Sequence, residues 1–248
     1  MNHVLLVLQF LTVFPVRREI KMEPGEAARS MALFPFVGAL QGGLLVASDV
    51  VLHNVMGLPV SVASAILLAI LLLTSGGLHI DGFTDTVDGL AGGATPEDRL
   101  RIMRDGSAGA VGVAAVVLLL LIKYLCIAAL PGDARAPALL LFPMVGRWSM
   151  VPMSFWGTYA REGEGLGKAF TGCPAESLLM ATVVVVFLSG IFFGPAAFIV
   201  LAGIAAFTYG LTVFFKRRLG GITGDVFGFQ SEAGEVLFLL AVLALAGA

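Results

Sequence analysis

Charged residues are scarce in this chain. Only 13% of its 248 residues are Asp, Glu, Lys or Arg, about half the share found in soluble domains. Net charge is −2 with no extended basic tract, so nothing in the sequence points to nucleic acid as a partner. There are only two cysteines, Cys126 in an apolar run and Cys173 in a polar loop. They form neither a metal-ligand nor a disulfide pattern and read as reduced thiols. Internal repeats and low-complexity linkers are missing as well, so residues 1–248 read as a single domain. The opening "HVLLVLQFLTVFPV" lacks the cues of a cleaved leader. Arg17 and Arg18 follow its apolar run instead of preceding it, and no small-residue cleavage site appears. It reads as a short amphipathic or re-entrant segment that is retained.

Apolar residues are abundant, at 58% of the chain. A spanning helix needs roughly 20 mainly apolar residues. Candidate spans lie at 31–52, 60–78, 109–130, 138–156, 177–192, 195–214 and 234–248. Gly57-Leu58-Pro59, Pro131-Gly132-Asp133 and Gly194-Pro195 punctuate them as tight turns. The expected fold is all-α: a polytopic membrane bundle of seven transmembrane helices plus the short N-terminal segment. With seven spans, 12 of the 15 Lys and Arg fall on one side, in the N-terminal stretch and three large loops. Arg135 alone lies in the opposite loops, and Lys123 and Arg147 lie within spans. The positive-inside rule then puts the N-terminus and the large loops in the cytoplasm. Of 17 acidic residues, all but Asp49 and Asp133 fall on that same side. A site for metal and anionic substrate on that face would account for it.

The acidic residues concentrate in "GGLHIDGFTDTVDGLAGG" (76–93). If residues 81–90 are helical, Asp81, Asp85 and Asp88 project from one face. Like charges at that spacing destabilise a helix by a few tenths of a kcal/mol per pair. A hard divalent cation reverses the sign, since Mg²⁺ takes one or two carboxylates and completes its shell with water and phosphate oxygens. The plainer alternative is a solvated loop in which Asp81-Gly82 and Asp88-Gly89 are turn pairs. His79 beside them is either a proton acceptor or a structural histidine.

Two further segments on the same side carry the same residue types. "RLRIMRDGSAGAVG" (99–112) offers Arg104 and Asp105 ahead of a glycine-rich turn. Arginine forks suit phosphate oxygens, although a topology anchor would look similar. "KRRLGGITGDVFG" (216–228) sets Arg218, Gly221, Gly224 and Asp225 together as a second half-site for phosphate and metal, which Glu232 and Glu235 could join. "EGEGLGKAFTG" (162–172) fails as a P-loop, because Glu162 stands where glycine is required and Ala169 where Ser or Thr is required. It reads as a substrate loop carrying Lys168. Lys123 and Arg147 sit deep in spans, where charge is costly unless paired or wet, and a functional cavity is one reading of both.

Together these stretches resemble the cobalamin synthase family, the adenosylcobinamide-GDP ribazoletransferases. The resemblance is carried by "GGLHIDGFTDTVDGLAGG", "RIMRDGSAGAVG", "RRLGGITGDVFG" with the following "SEAGE", the opening "LQFLTVFPV", and "LLLLIKYL" around Lys123. It implies transfer of the cobinamide-phosphate moiety of adenosylcobinamide-GDP to α-ribazole or its 5′-phosphate, with release of GMP. It also implies a Mg²⁺ cofactor and a site facing the cytoplasm. On that reading Asp81, Asp85 and Asp88 hold metal on the pyrophosphate, and one of them or His79 takes the proton. Arg104 steadies the leaving GMP, and Asp225 completes the metal or ribazole site. Two rivals remain open at this level: a phosphotransferase of the CDP-alcohol type, whose D-G-x-x-A-R run is missing here, and a cation-coupled transporter. Whether copies of the chain associate as a homo-oligomer is also open.

Overall fold

The computed structural model describes residues 2–14, 25–162 and 166–246. Arg17, Arg18 and Lys21, counted above with the basic residues ahead of the first span, lie outside these, as do residues 163–165 of the glycine-rich loop. The described residues are helical apart from turns and one isolated parallel bridge between Tyr159 and Ile222.

A short helix α1 (Asn2–Leu11) buries Leu6, Val7 and Leu11. Helix α2 (Glu26–Ser30) runs through a 3-10 turn into α3 (Phe34–Asp49), and a π-helical turn extends it to Val55. Then follow α4 (Val60–Ser75), α5 (Leu78–Gly92), α6 (Pro96–Ile102), α7 (Ala110–Ala129) and α8 (Gly132–Trp156). The short α9 (Leu166–Ala169) precedes the long helices α10 (Ala175–Phe193), α11 (Ala196–Leu219) and α12 (Gly224–Ala246). Six helical stretches are long and apolar enough to cross a membrane, and the bent pair α4–α5 brings the number to seven. This is a multi-pass helical membrane protein.

Helix α8 is the axis of the bundle: 89% of its most apolar window is buried, against 22–28% for α7, α10 and α11. The latter three present Val117, Leu121, Phe187 and Ile199 outward, the apolar exterior expected against lipid. Without a hydrophobic force between helices in lipid, close packing must hold them together. Gly38 on α3 lies so near α8 that a Cβ would fall 2.5 Å from the Pro143 carbonyl oxygen. At the other end of α8, Arg135 donates to both carboxylate oxygens of Asp49 at 2.9 and 2.8 Å, so the span begins earlier than 138 and includes this arginine.

Two boundaries differ from the hydropathy reading in ways that matter for the site. Helix α4 closes at Gly76 and Gly77, both left-handed with φ of 61° and 72°. Their N–H groups return to the carbonyls of Leu73 and Leu72, a Schellman closure. The chain then turns by 88° into α5, so the seventh span is a broken one. The last span starts at Gly224 instead of 234, so Asp225, Glu232 and Glu235 belong to its helix. Hydropathy excluded that stretch because of its carboxylates. The structure admits it because Glu232 and Glu235 are neutralised inside the bundle.

Candidate active site

Helix α5 carries all three aspartates in one continuous helix, so the Asp-Gly pairs at 81 and 88 are not turns. Spacings of four and three residues set the carboxylates along one side. Their surroundings nevertheless differ. Asp81 is exposed and Asp85 half-buried, whereas both oxygens of Asp88 are engaged: Oδ2 accepts the N–H of Gly109 and Oδ1 that of Gly112, each at 2.7 Å. A carboxylate placed there satisfies orphan donors and the positive end of the helix dipole. Asp88 fastens α5 to the start of α7.

Helix α12 crosses α5 at a pair of glycines. A Cβ on Gly82 would lie 2.8 Å from the backbone oxygen of Asp225, and one on Gly228 would lie 2.9 Å from that of His79. Only two bare backbones can approach this closely. The crossing delivers Asp225, in the first turn of α12, to the aspartate face of α5. Asp225 accepts from Arg161 Nη2 at 2.7 Å and from the Thr223 hydroxyl at 3.2 Å, both on Oδ2. Arg161 is held by the backbone pairing of its neighbours, since Ala160 N–H donates to Ile222 O and Ile222 N–H to Thr158 O. Sequence reading counted Arg161 only as a topology cation. Its partner lies 64 positions away, and no local pattern could have joined them.

Two chambers meet at this crossing. One, of about 590 Å³, opens between the α4–α5 corner and the Gly106–Ala108 turn, and is lined by Ser75, Gly77, Asp81, Thr84 and Asp85 among others. The second, of about 210 Å³, is bordered by Asp81 and Gly82 of α5, Asp225 and Gly228 of α12, and by Tyr159, Arg161 and Gly167. Phe10, Leu78 and Asp81 border both. The charged neighbours of Asp85 are the carboxylates of Asp81, Asp225 and Asp88, with Arg161 the cation among them. The dominant neighbours are like charges, which is the electrostatics of a place suited to a cation.

Among the described residues, no group of three or more His, Cys, Asp or Glu side chains is gathered to hold a metal unaided. Asp81 and Asp85 both line the larger chamber, and two carboxylates are what a phosphate-bridged Mg²⁺ requires of the protein. The donor set therefore fits such an ion, provided substrate oxygens complete its shell.

The other candidate residues fall into three places. Arg104 and Asp105 are exposed on the turn after α6, Lys168 is exposed on α9, and Arg218 is exposed with its guanidinium 5.7 Å from the Phe214 ring centroid. Gly221 and Gly224 are close-packing points, Gly221 against the Thr158 carbonyl and Gly224 against Gly167, and Gly224 also lines the smaller chamber. His79 lines that chamber too. It is 2% exposed, and neither ring nitrogen has a partner among the described residues.

Lys123 and Arg147 line neither chamber and are fully buried. Lys123 Nζ reaches Glu232 at 2.5 Å and also pairs with Glu235, while Arg147 pairs with Glu235 and donates to the Ser231 hydroxyl at 3.2 Å. Two cations and two anions close on one another, joining α7 and α8 to α12. The substrate-binding role suggested for Lys123 and Arg147 thus gives way to an internal one, because their charges are already met. Glu232 and Glu235 likewise serve this network and not a phosphate half-site.

The chain matches the family model for cobalamin-5-phosphate synthase over residues 3–243. It is 38% identical to an adenosylcobinamide-GDP ribazoletransferase of Geotalea daltonii, over 98% of this chain and 97% of that protein. It is also 38% identical to the Pseudomonas aeruginosa protein of that name, over 98% of each, and 33% identical to that of Acetivibrio thermocellus, over 97% and 96%. No solved structure matches it.

Proposed function

The chain belongs to the cobalamin-5-phosphate synthase family, and from that premise we propose how its crossed helices carry out the reaction. It acts as an adenosylcobinamide-GDP ribazoletransferase in the assembly of the cobalamin nucleotide loop. A ribose hydroxyl oxygen of α-ribazole, or of its 5′-phosphate, forms a bond to the phosphorus that bears cobinamide. The bond from that phosphorus to the bridging oxygen breaks, and GMP leaves with the oxygen. Adenosylcobalamin, or its 5′-phosphate, is the other product.

Such transfers depend on positioning and on stabilising charge spread over phosphate oxygens. The observation that carries this reading is the convergence of Asp81 and Asp85 with the Asp225–Arg161 pair at one end of the bundle. In our assignment Asp81 and Asp85 hold Mg²⁺, which when bound offsets the negative charge of the pyrophosphate. Asp225 receives the proton of the attacking hydroxyl, and Arg161 holds that carboxylate in place. Arg104, two residues before the Gly106–Ala108 turn that borders the open chamber, steadies the leaving GMP.

We place the protein in the cytoplasmic membrane with this end inward. The charge partition supports that orientation, and the relatives are bacterial. Cysteines replacing Arg101 and Arg217 should label from the cytoplasm and one replacing Met56 from outside; labelling of all three from one side would break the orientation. For the activity, the purified chain in detergent is incubated with adenosylcobinamide-GDP, α-ribazole and Mg²⁺. Metal-dependent release of GMP with formation of adenosylcobalamin is expected, and its absence would reject the assignment.

A further inference from the structure

The two chambers differ in kind. The smaller one is lined by Phe10, Tyr159, Phe227 and Met150, with His79 in its wall and Asp81, Asp225 and Arg161 at its polar side. The larger is bordered mostly by glycine backbone, small hydroxyls and carboxylates. Sites for whole drug-sized molecules occupy about 300–1,000 Å³. The larger chamber, at 590 Å³, falls in that range, whereas the 210 Å³ chamber suits only one ring system of a substrate.

We propose that the smaller chamber seats the heteroaromatic base of the acceptor nucleoside, with His79 as its polar contact. This rests on the transferase reading above. Three aromatic side chains and a thioether give apolar surface for a flat bicycle. His79 is buried and has hydrogen-bonding capacity that no described residue uses. Buried polar groups in native proteins are nearly always paired, so an unpartnered imidazole in a chamber wall is open to a ligand placed there.

The competing tenant is the guanine of the donor. Guanine brings a carbonyl, an exocyclic amine and a ring N–H, each costing about 1–3 kcal/mol if buried without a partner. The chamber's one carboxylate–guanidinium pair, Asp225–Arg161, is already joined. A benzimidazole nucleoside has a single free ring nitrogen, which one imidazole satisfies. Seated there, its ribose lies toward Asp225 and toward Asp81, which borders both chambers, so that it faces a donor pyrophosphate held in the larger one.

The test is steady-state kinetics on the full chain, with each substrate varied in turn. Free benzimidazole should inhibit wild-type protein competitively against α-ribazole and not against adenosylcobinamide-GDP. His79→Phe should raise KM for α-ribazole by roughly tenfold and leave KM for the donor within about twofold. Competition by benzimidazole against the donor, or a KM change confined to the donor, would put guanine in the chamber and overturn the proposal while leaving the transferase assignment intact. Failure of wild-type protein to turn over would instead remove the assignment, and this inference with it. The inhibition pattern needs no variant, so a misfolded His79→Phe leaves the question decidable.

Discussion

Gly82 of α5 and Gly228 of α12 face each other at the crossing, where a Cβ on Gly228 would stand 3.2 Å from the Gly82 Cα. The separation of the two helices there is set by backbone, and it fixes how far Asp225 lies from the α5 aspartates. Gly82→Ala should therefore push the helices apart, costing about 1–3 kcal/mol as overpacking does, with turnover falling together with stability. Gly203→Ala is the control, since nothing lies within 4 Å of a Cβ there. It should leave activity unchanged and match or exceed the wild-type melting temperature.

The metal and proton roles separate by titration. Asp85→Asn removes one of two carboxylates assigned to Mg²⁺, so the Mg²⁺ concentration giving half-maximal GMP release should rise about tenfold or more. Asp225→Asn should lower turnover by about a hundredfold or more with the Mg²⁺ midpoint in place, as loss of a general base would. Equal midpoint shifts in both variants would return Asp225 to the metal.

For Asp88 the contacts with Gly109 and Gly112 predict a structural deficit. Asparagine keeps one acceptor and turns an amide N–H₂ toward the other donor. Asp88→Asn should lose about 1–3 kcal/mol of stability, read as a lower melting temperature, with an unshifted Mg²⁺ midpoint in the folded fraction. A shifted midpoint at wild-type stability would make Asp88 a ligand after all.

The buried network should respond to charge balance. Lys123→Met leaves Glu232 and Glu235 to share Arg147, and breaking a buried pair in this way costs about 3–5 kcal/mol. Little folded protein should be recovered from membranes. Lys123→Met combined with Glu232→Met restores neutrality around Arg147–Glu235 and should recover most of the yield. A single variant as abundant as wild type would show that the charges are solvated.

The sequence by itself determined the class of the fold and the partition of charge between its two ends. Both follow from signals that are local or additive: apolar runs long enough to span a bilayer, and the side to which loops with Arg101, Lys168 and Arg217 fall. It also marked Asp81, Asp85 and Asp225, because carboxylates beside apolar runs stand out against their background. What each marked residue touches was decided elsewhere. Asp88 shares the spacing of Asp81 and Asp85 but meets the N-terminus of α7, a helix that begins 22 residues later. Lys123 and Arg147 look like costly charges deep in spans until Glu232 and Glu235 close on them across helices, and those same carboxylates are why hydropathy began the last span too late. Arg161 and His79 gain meaning only from the α5–α12 crossing. Hydropathy and spacing describe one helix at a time, and these partners are brought together by glycine contacts between helices far apart in the chain.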